Sequence, residues 1–142
     1  MHLVKHLLEA KPRAIHAIEP ERPVLEAIRM MADKYVGALL VMRGSELIGI
    51  VSERDYARKV ILNGKSSADT PVSEIMSSPV LSVSPGDSAH RCMRLMTEKR
   101  IRHLPVVEDS KVVGVLSIGD LVKAVIDDQA EQLEQLQRYI AG

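Results

Sequence analysis

The chain has 142 residues, an apolar share of 46% and an aromatic share of 2%, supplied by three tyrosines. Nineteen basic residues balance nineteen acidic ones, so no global field draws in DNA or acidic membranes, and large stacking platforms for single-stranded nucleic acid are missing. A lone cysteine, Cys92, excludes an intramolecular disulfide and fits a reducing compartment. No run reaches the ~18 apolar residues of a membrane span and MHLVKHLLEAK lacks a signal-peptide pattern, so the expectation is a soluble cytoplasmic protein.

In chain order, residues 3–10 read as a short amphipathic helix with Leu3, Leu7 and Leu8 inward, ended by Pro12. Ile15 to Ile18 reads as a short strand, and Pro20 to Pro23 as a turn. Val24, Ala27, Ile28 and Met31 recur at helical spacing within a helix from Val24 to Lys34. Val36 to Met42 is apolar enough for a buried strand, and Arg43 to Glu46 turns it back into a strand from Leu47 to Val51. A helix opens at Ser52 and runs to about Leu62, with Gly64 as its stop. Thr70 is placed to cap a short helix with Pro71 first and Glu74 near its positive end.

The same order then returns: Val80–Val83, Ala89–Lys99, Ile101–Val107, Val112–Leu116 and a helix from Ser117. The two copies stand at a constant shift of 65 residues from Pro20/Pro85 to Ile61/Ile126. Arg29/Arg94, Met31/Met96, Leu39/Leu104, Val41/Val106, Gly49/Gly114, Ser52/Ser117 and Asp55/Asp120 are identical across it. Two copies point to a pseudo-twofold pair, since a solenoid needs three or more units. The expected division is residues 1–66 and 67–142. The last helix extends past its counterpart, with Leu133, Leu136 and Ile140 on one face, to pack on the first helix or another subunit.

Two constellations could carry chemistry. One is Ser-x-x-Asp directly after a Gly-led apolar strand, at Ser52/Asp55 and Ser117/Asp120. Taken alone it reads first as a helix capping box, and the same geometry also permits a ligand site. In the second reading a helix start and a serine hydroxyl hold a phosphate, and the aspartate accepts from a ribose diol. The other is Arg100, Arg102 and His103, which replace Tyr35, Gly37 and Ala38 at the strand entrance. These are either solvated charges or a phosphate clamp. Cys92 reads as a small buried residue. Gly64-Lys65-Ser66 lacks the earlier glycine of a phosphate loop, because position 59 is Lys59. His2 and His6 share a helical face without a third nearby ligand, and no catalytic set of side chains emerges.

With its paired Gly-h-x-Ser-x-x-Asp motifs, Ser73-Glu74-Ile75-Met76 before the second copy and Leu104-Pro105-Val106-Val107, the chain resembles a tandem pair of CBS domains, a Bateman module. The resemblance covers nearly the whole chain apart from its terminal helices. It implies an α+β fold of two β-α-β-β-α repeats packed about a pseudo-twofold axis. Clefts between the repeats would bind AMP, ADP, ATP, NAD or S-adenosylmethionine. By motif, Ser52 and Ser117 would contact phosphate, Asp55 and Asp120 the ribose. Arg54 would face phosphates where the second copy has Gly119, and Arg102 and His103 would add a basic pair. Ile15 and Val80 would line adenine pockets, and Gly37 and Ala38 would offer backbone to the base. The first copy lacks the Met76-Ser77-Ser78-Pro79 lead-in and has Lys11-Pro12-Arg13 there.

The implied function is a non-catalytic nucleotide sensor with no catalytic cofactor and no metal, working as a homodimer or through an unknown effector protein. The competing reading is an interaction module whose clefts stay empty, its serines only capping helices. An enzyme is the third and least supported class. The substitutions between copies predict two unequal sites.

Overall fold

A computed structural model describes residues 2–10 and 14–141, a mixed α+β protein with two sheets. Its elements are α1 (Val4–Glu9), β1 (Ala17–Ile18), α2 (Val24–Lys34), β2 (Ala38–Arg43), β3 (Glu46–Ser52), α3 (Glu53–Tyr56), α4 (Ala89–Lys99), β4 (His103–Glu108), β5 (Lys111–Ser117) and α5 (Ile118–Ala141). The helix that α3 begins is finished by a wider π turn, Ala57–Ile61, in which the Leu62 N–H donates to the Ala57 carbonyl at 3.1 Å. A 3-10 turn covers Val72–Glu74. The chain packs as two compact units, residues 15–81 and residues 82–142 joined by 1–14.

In the 15–81 unit, β1 runs parallel to β2 and β2 antiparallel to β3. Val24, Ala27 and Met31 of α2 pack on Leu39, Val41 and Val51 of the sheet. The helix is amphipathic, so a single buried face suffices to hold it. In the other unit, β4 and β5 pair in the matching register, with Ala89, Cys92 and Met96 of α4 on Leu104, Val106 and Leu116. Cys92 therefore occupies Ala27's place in the core. Burial, and then the negative charge of Asp87, push its thiol up to about 11, so it is an inert packing group. Both helices end on a residue with positive φ, Tyr35 at 55° and Arg100 at 54°.

Three elements differ from expectation. β1 is confined to Ala17–Ile18. The strand expected at Val80–Val83 shrinks to one bridge between Val83 and Val106. The cause is Pro105. Its first-copy counterpart, Leu40, donates its N–H to the His16 carbonyl at 3.1 Å, whereas proline has no N–H to donate. Thr70 does not cap the 3-10 turn, which follows Pro71. Its hydroxyl donates to the Ser66 carbonyl at 2.7 Å, while its own carbonyl accepts the first N–H of α2, from Val24, at 2.8 Å.

The segments that lead into the two repeats are exchanged in packing. The N-terminal segment was expected to serve the first repeat, but it docks on the second. The Val4 N–H donates to the Asp87 carbonyl at 2.9 Å and the Lys5 N–H to Pro85 at 3.0 Å. In the other unit the Val72 N–H donates to Arg22 at 2.8 Å and the Ser73 N–H to Pro20 at 2.9 Å. The acceptors stand 65 residues apart and the donors 68, so residues 2–8 are the equivalent of residues 70–76, offset by three residues. In α1 the most buried residues are Val4 and Leu8, with Leu3 and Leu7 half-buried. Pro12, expected to end this helix, lies outside the described residues. Glycine makes both dockings possible. A Cβ on Gly114 would stand 2.6 Å from Leu8 Cδ2, and one on Gly49 would stand 2.6 Å from Met76 Sδ.

The first half of α5 packs Leu121 and Ala124 into the core of its unit, and Asp128 is buried against His2. Beyond Asp128 every described residue of α5 is exposed, so the tail does not lie on α1. No helix among the described residues is long and apolar enough to cross a membrane.

The Leu8–Gly114 contact yields a prediction. Leu8→Ala is expected to destabilise the protein by roughly 2–5 kcal/mol, as for other buried leucines. Gly114→Ala is expected to cost much less in the Leu8→Ala background than in the wild type, measured by urea denaturation as a double-mutant cycle.

Candidate functional site

Each repeat places its motif where the second hairpin strand turns into a helix. At the β3–α3 junction, the Ser52 N–H and hydroxyl donate to Asp55 Oδ2 at 2.9 and 3.0 Å, and the Asp55 N–H donates back to Ser52 Oγ at 3.2 Å. The β5–α5 junction repeats this. The Ser117 N–H donates to Asp120 Oδ2 at 2.8 Å and the Asp120 N–H to Ser117 Oγ at 3.2 Å. Both are reciprocal capping boxes, so the structural reading of the motif is fulfilled. That reading leaves the ligand reading intact, because a carboxylate has about four lone-pair positions and the box uses only part of them.

The neighbouring strand entrance is tied to each junction by backbone. The Gly37 carbonyl accepts the Glu53 N–H at 3.1 Å, and the Arg102 carbonyl accepts the Ile118 N–H at 2.8 Å. Ala38 pairs with Ser52 across the hairpin and His103 pairs with Ser117. The structure therefore groups Gly37, Ala38, Ser52, Arg54 and Asp55 at one junction. It groups Arg102, His103, Ser117, Gly119 and Asp120 at the other. Arg54 is half-buried, and Gly119 and Arg102 are exposed. Ile15 precedes His16, whose carbonyl anchors β2, and Val80 lies between the Ser77–Ile50 and Val83–Val106 bridges. Ile15 is exposed and Val80 half-buried.

Lys59 stands beside the first box, and motif reasoning missed it. Its Nζ lies 3.4 Å from Asp55 Oδ1 and donates to the Ile75 carbonyl at 2.9 Å. Its spacing, four residues after an aspartate on a helix, was the available signal. The second repeat has Ala124, buried in its core, at the matching position. The carboxylate of the first repeat thus carries a local counter-charge that the second repeat cannot supply from that position.

The set-aside motifs have structural work. His6 Nδ1 accepts the Leu3 N–H at 3.2 Å, and His2 pairs with Asp128. Gly64 adopts φ of 65° after the helix, and Lys65 pairs with Glu74 at 3.5 Å.

Comparison with known proteins agrees with this geometry. The family model for the CBS domain matches twice, at residues 11–62 and 72–127. The chain belongs to the CBS-domain family and carries a tandem pair. It is 44% identical over 124 residues to the CBS domain-containing protein CBSX3, mitochondrial, of Arabidopsis thaliana, covering 84% of this chain but 60% of that protein's length. A CBS-domain protein of Burkholderia ambifaria has a similar solved structure, with a TM-score of 0.87 and 51% identity over 90% of this chain and 96% of that one. CBSX2, solved in complex with AMP, is similar with a TM-score of 0.71 and 27% identity over 91% of this chain and 99% of that one.

The capping boxes predict a ligand-independent effect. Ser52→Ala and Ser117→Ala are each expected to lower stability without any nucleotide by about 1 kcal/mol. Urea denaturation checks this, and unchanged midpoints would contradict the box geometry.

Proposed function

We propose that the protein is a non-catalytic regulatory module that binds an adenine nucleotide at its two strand–helix junctions. The observation that carries the proposal is the pair of Ser–Asp boxes at helix starts, each beside the backbone of a strand entrance. In this reading the serine hydroxyl and the helix start receive phosphate, since backbone amides and the helix dipole favour an anion there. Asp55 and Asp120 accept from ribose hydroxyls, as carboxylates can. Ile15 and Val80 flank the adenine, and Gly37 and Ala38 present backbone to it. AMP bound to CBSX2 supports this ligand class, with ADP, ATP and NAD as related candidates.

The two sites are unequal. The first has Arg54 in the box and Lys59 beside its aspartate. The second has Gly119 in the box and the side chains of Arg102 and His103 at the strand entrance. Guanidinium suits a phosphate group, and it comes from within the box at the first site, as Arg54, and from the strand entrance at the second, as Arg102.

Signalling then requires a ligand that favours one of two arrangements of the protein, read by a second copy of the chain or by an effector protein. The alternative is an interaction module whose sites stay empty. It is favoured by the fact that each Ser–Asp box closes its reciprocal hydrogen bonds without a ligand.

Isothermal calorimetry with AMP tests the proposal. Two sites of unequal affinity are expected. Asp120→Asn removes the charge that ribose hydroxyls meet, a loss of about 1.5–3 kcal/mol, which is roughly ten- to a hundred-fold in affinity at one site. A ligand at 100 times its dissociation constant also adds about 2.7 kcal/mol to stability. No heat and no melting shift with AMP, ADP, ATP or NAD would leave the empty-module reading.

A further inference from the structure

We infer that the tail of α5 pairs with the α5 tail of a second copy of this chain. The inference rests on the reading that the protein self-associates, and it names the surface. α5 spans 24 residues, but its contribution to the core ends at Asp128. On it Val122, Ile126, Leu133, Leu136 and Ile140 are exposed, Leu133 by 56% and Ile140 by 76%.

Their spacing is that of a two-stranded helical seam. Ile126, Leu133 and Ile140 recur every seven residues, and Val122, Gln129 and Leu136 form the second seven-residue row, four positions before the first. These are the two inward rows of a heptad. The opposite side of the helix, through Leu121, Ala124 and Asp128, is buried in the body of its own unit. The seam therefore faces away from that unit and is open to an incoming helix.

Charge decides what that helix is. Lys123 flanks the seam beside Val122, but from Ile126 onward the flanking rows hold Ala130, Gln132, Gln137 and Tyr139, none of them charged. The charged residues Asp127, Asp128, Glu131, Glu134 and Arg138 all lie on the other faces. Two copies of this face can meet without like-charge contact and without desolvating an ion. Gln129 is the one polar residue in the seam, a position where a polar side chain fixes register at some cost in affinity. A lipid surface fits poorly. A membrane-lying helix carries lysine and arginine on its polar face, whereas here four acidic residues face one arginine, itself paired with Glu134.

About two heptads of contact are less than the interface of a tight complex, so the pairing is concentration-dependent. Sedimentation equilibrium on the full chain over a wide concentration range tests it, comparing wild type with Leu133→Gln/Leu136→Gln. Both leucines are exposed in the single chain, so the variant is expected to melt with the wild type at concentrations where both are monomeric. The expected result is a wild-type monomer–dimer equilibrium whose dissociation constant rises at least tenfold in the variant. A wild type that stays monomeric throughout would overturn self-association itself. A dimer equally stable in the variant would overturn this surface alone. Co-sedimentation of the full wild-type chain with vesicles of phosphatidylcholine and phosphatidylserine, lost in the variant while the dimer persists, would also overturn it and assign the face to lipid. Whether AMP binds at all, measured in parallel by calorimetry, tests the proposed ligand separately from this surface.

Discussion

The bond from the first helical amide to the carbonyl at the strand entrance, closed by the Ser–Asp box, is the constraint on which both repeats turn. It fixes where the second hairpin strand stops and the helix starts. It also brings residues fifteen positions apart, Gly37 with Ser52 and Arg102 with Ser117, to one place. A helix start must satisfy its orphan amides somehow, and here serine and a carbonyl do so while leaving a carboxylate and a dipole at the same spot. In the proposed reading, stability and binding share the same atoms. Duplication copied both together, and later substitutions could alter what surrounds each box without disturbing the box itself.

The exchange of lead-in segments adds a second constraint. Each repeat's sheet is covered by an apolar side chain seated on a glycine, Met76 on Gly49 and Leu8 on Gly114. The side chain on the second repeat comes from the start of the chain. Neither unit is complete from its own repeat, so the order of elements along the chain and their grouping in space differ. The lead-in of the first copy is offset by three residues, with Leu8 in the role of Met76.

Much of this was legible in the residues. The constant 65-residue shift gave two copies of one unit, and the helical spacing of Val24, Ala27 and Met31 gave both α2 and, by copying, α4 with its observed bounds. The boxes were legible because Ser-x-x-Asp after a strand has few other uses. What escaped has identifiable causes. The strand at Val80–Val83 failed because Pro105, one strand away, removes a donor, and periodicity within a segment does not register its neighbour. The docking of α1 escaped because its match lies at a shift of 68 rather than 65. Lys59 escaped because the Ser-x-x-Asp motif ends at Asp55, and its partner stands one helical turn further on.

The central claim is that both boxes lie at the surface a nucleotide occupies. The most direct measurement is a two-dimensional amide NMR titration of the full chain with AMP. The account predicts shifts centred on the amides of residues 52–55 and 117–120, with the two sets saturating at different concentrations. Shifts confined to other residues, or none at saturating AMP, would contradict it.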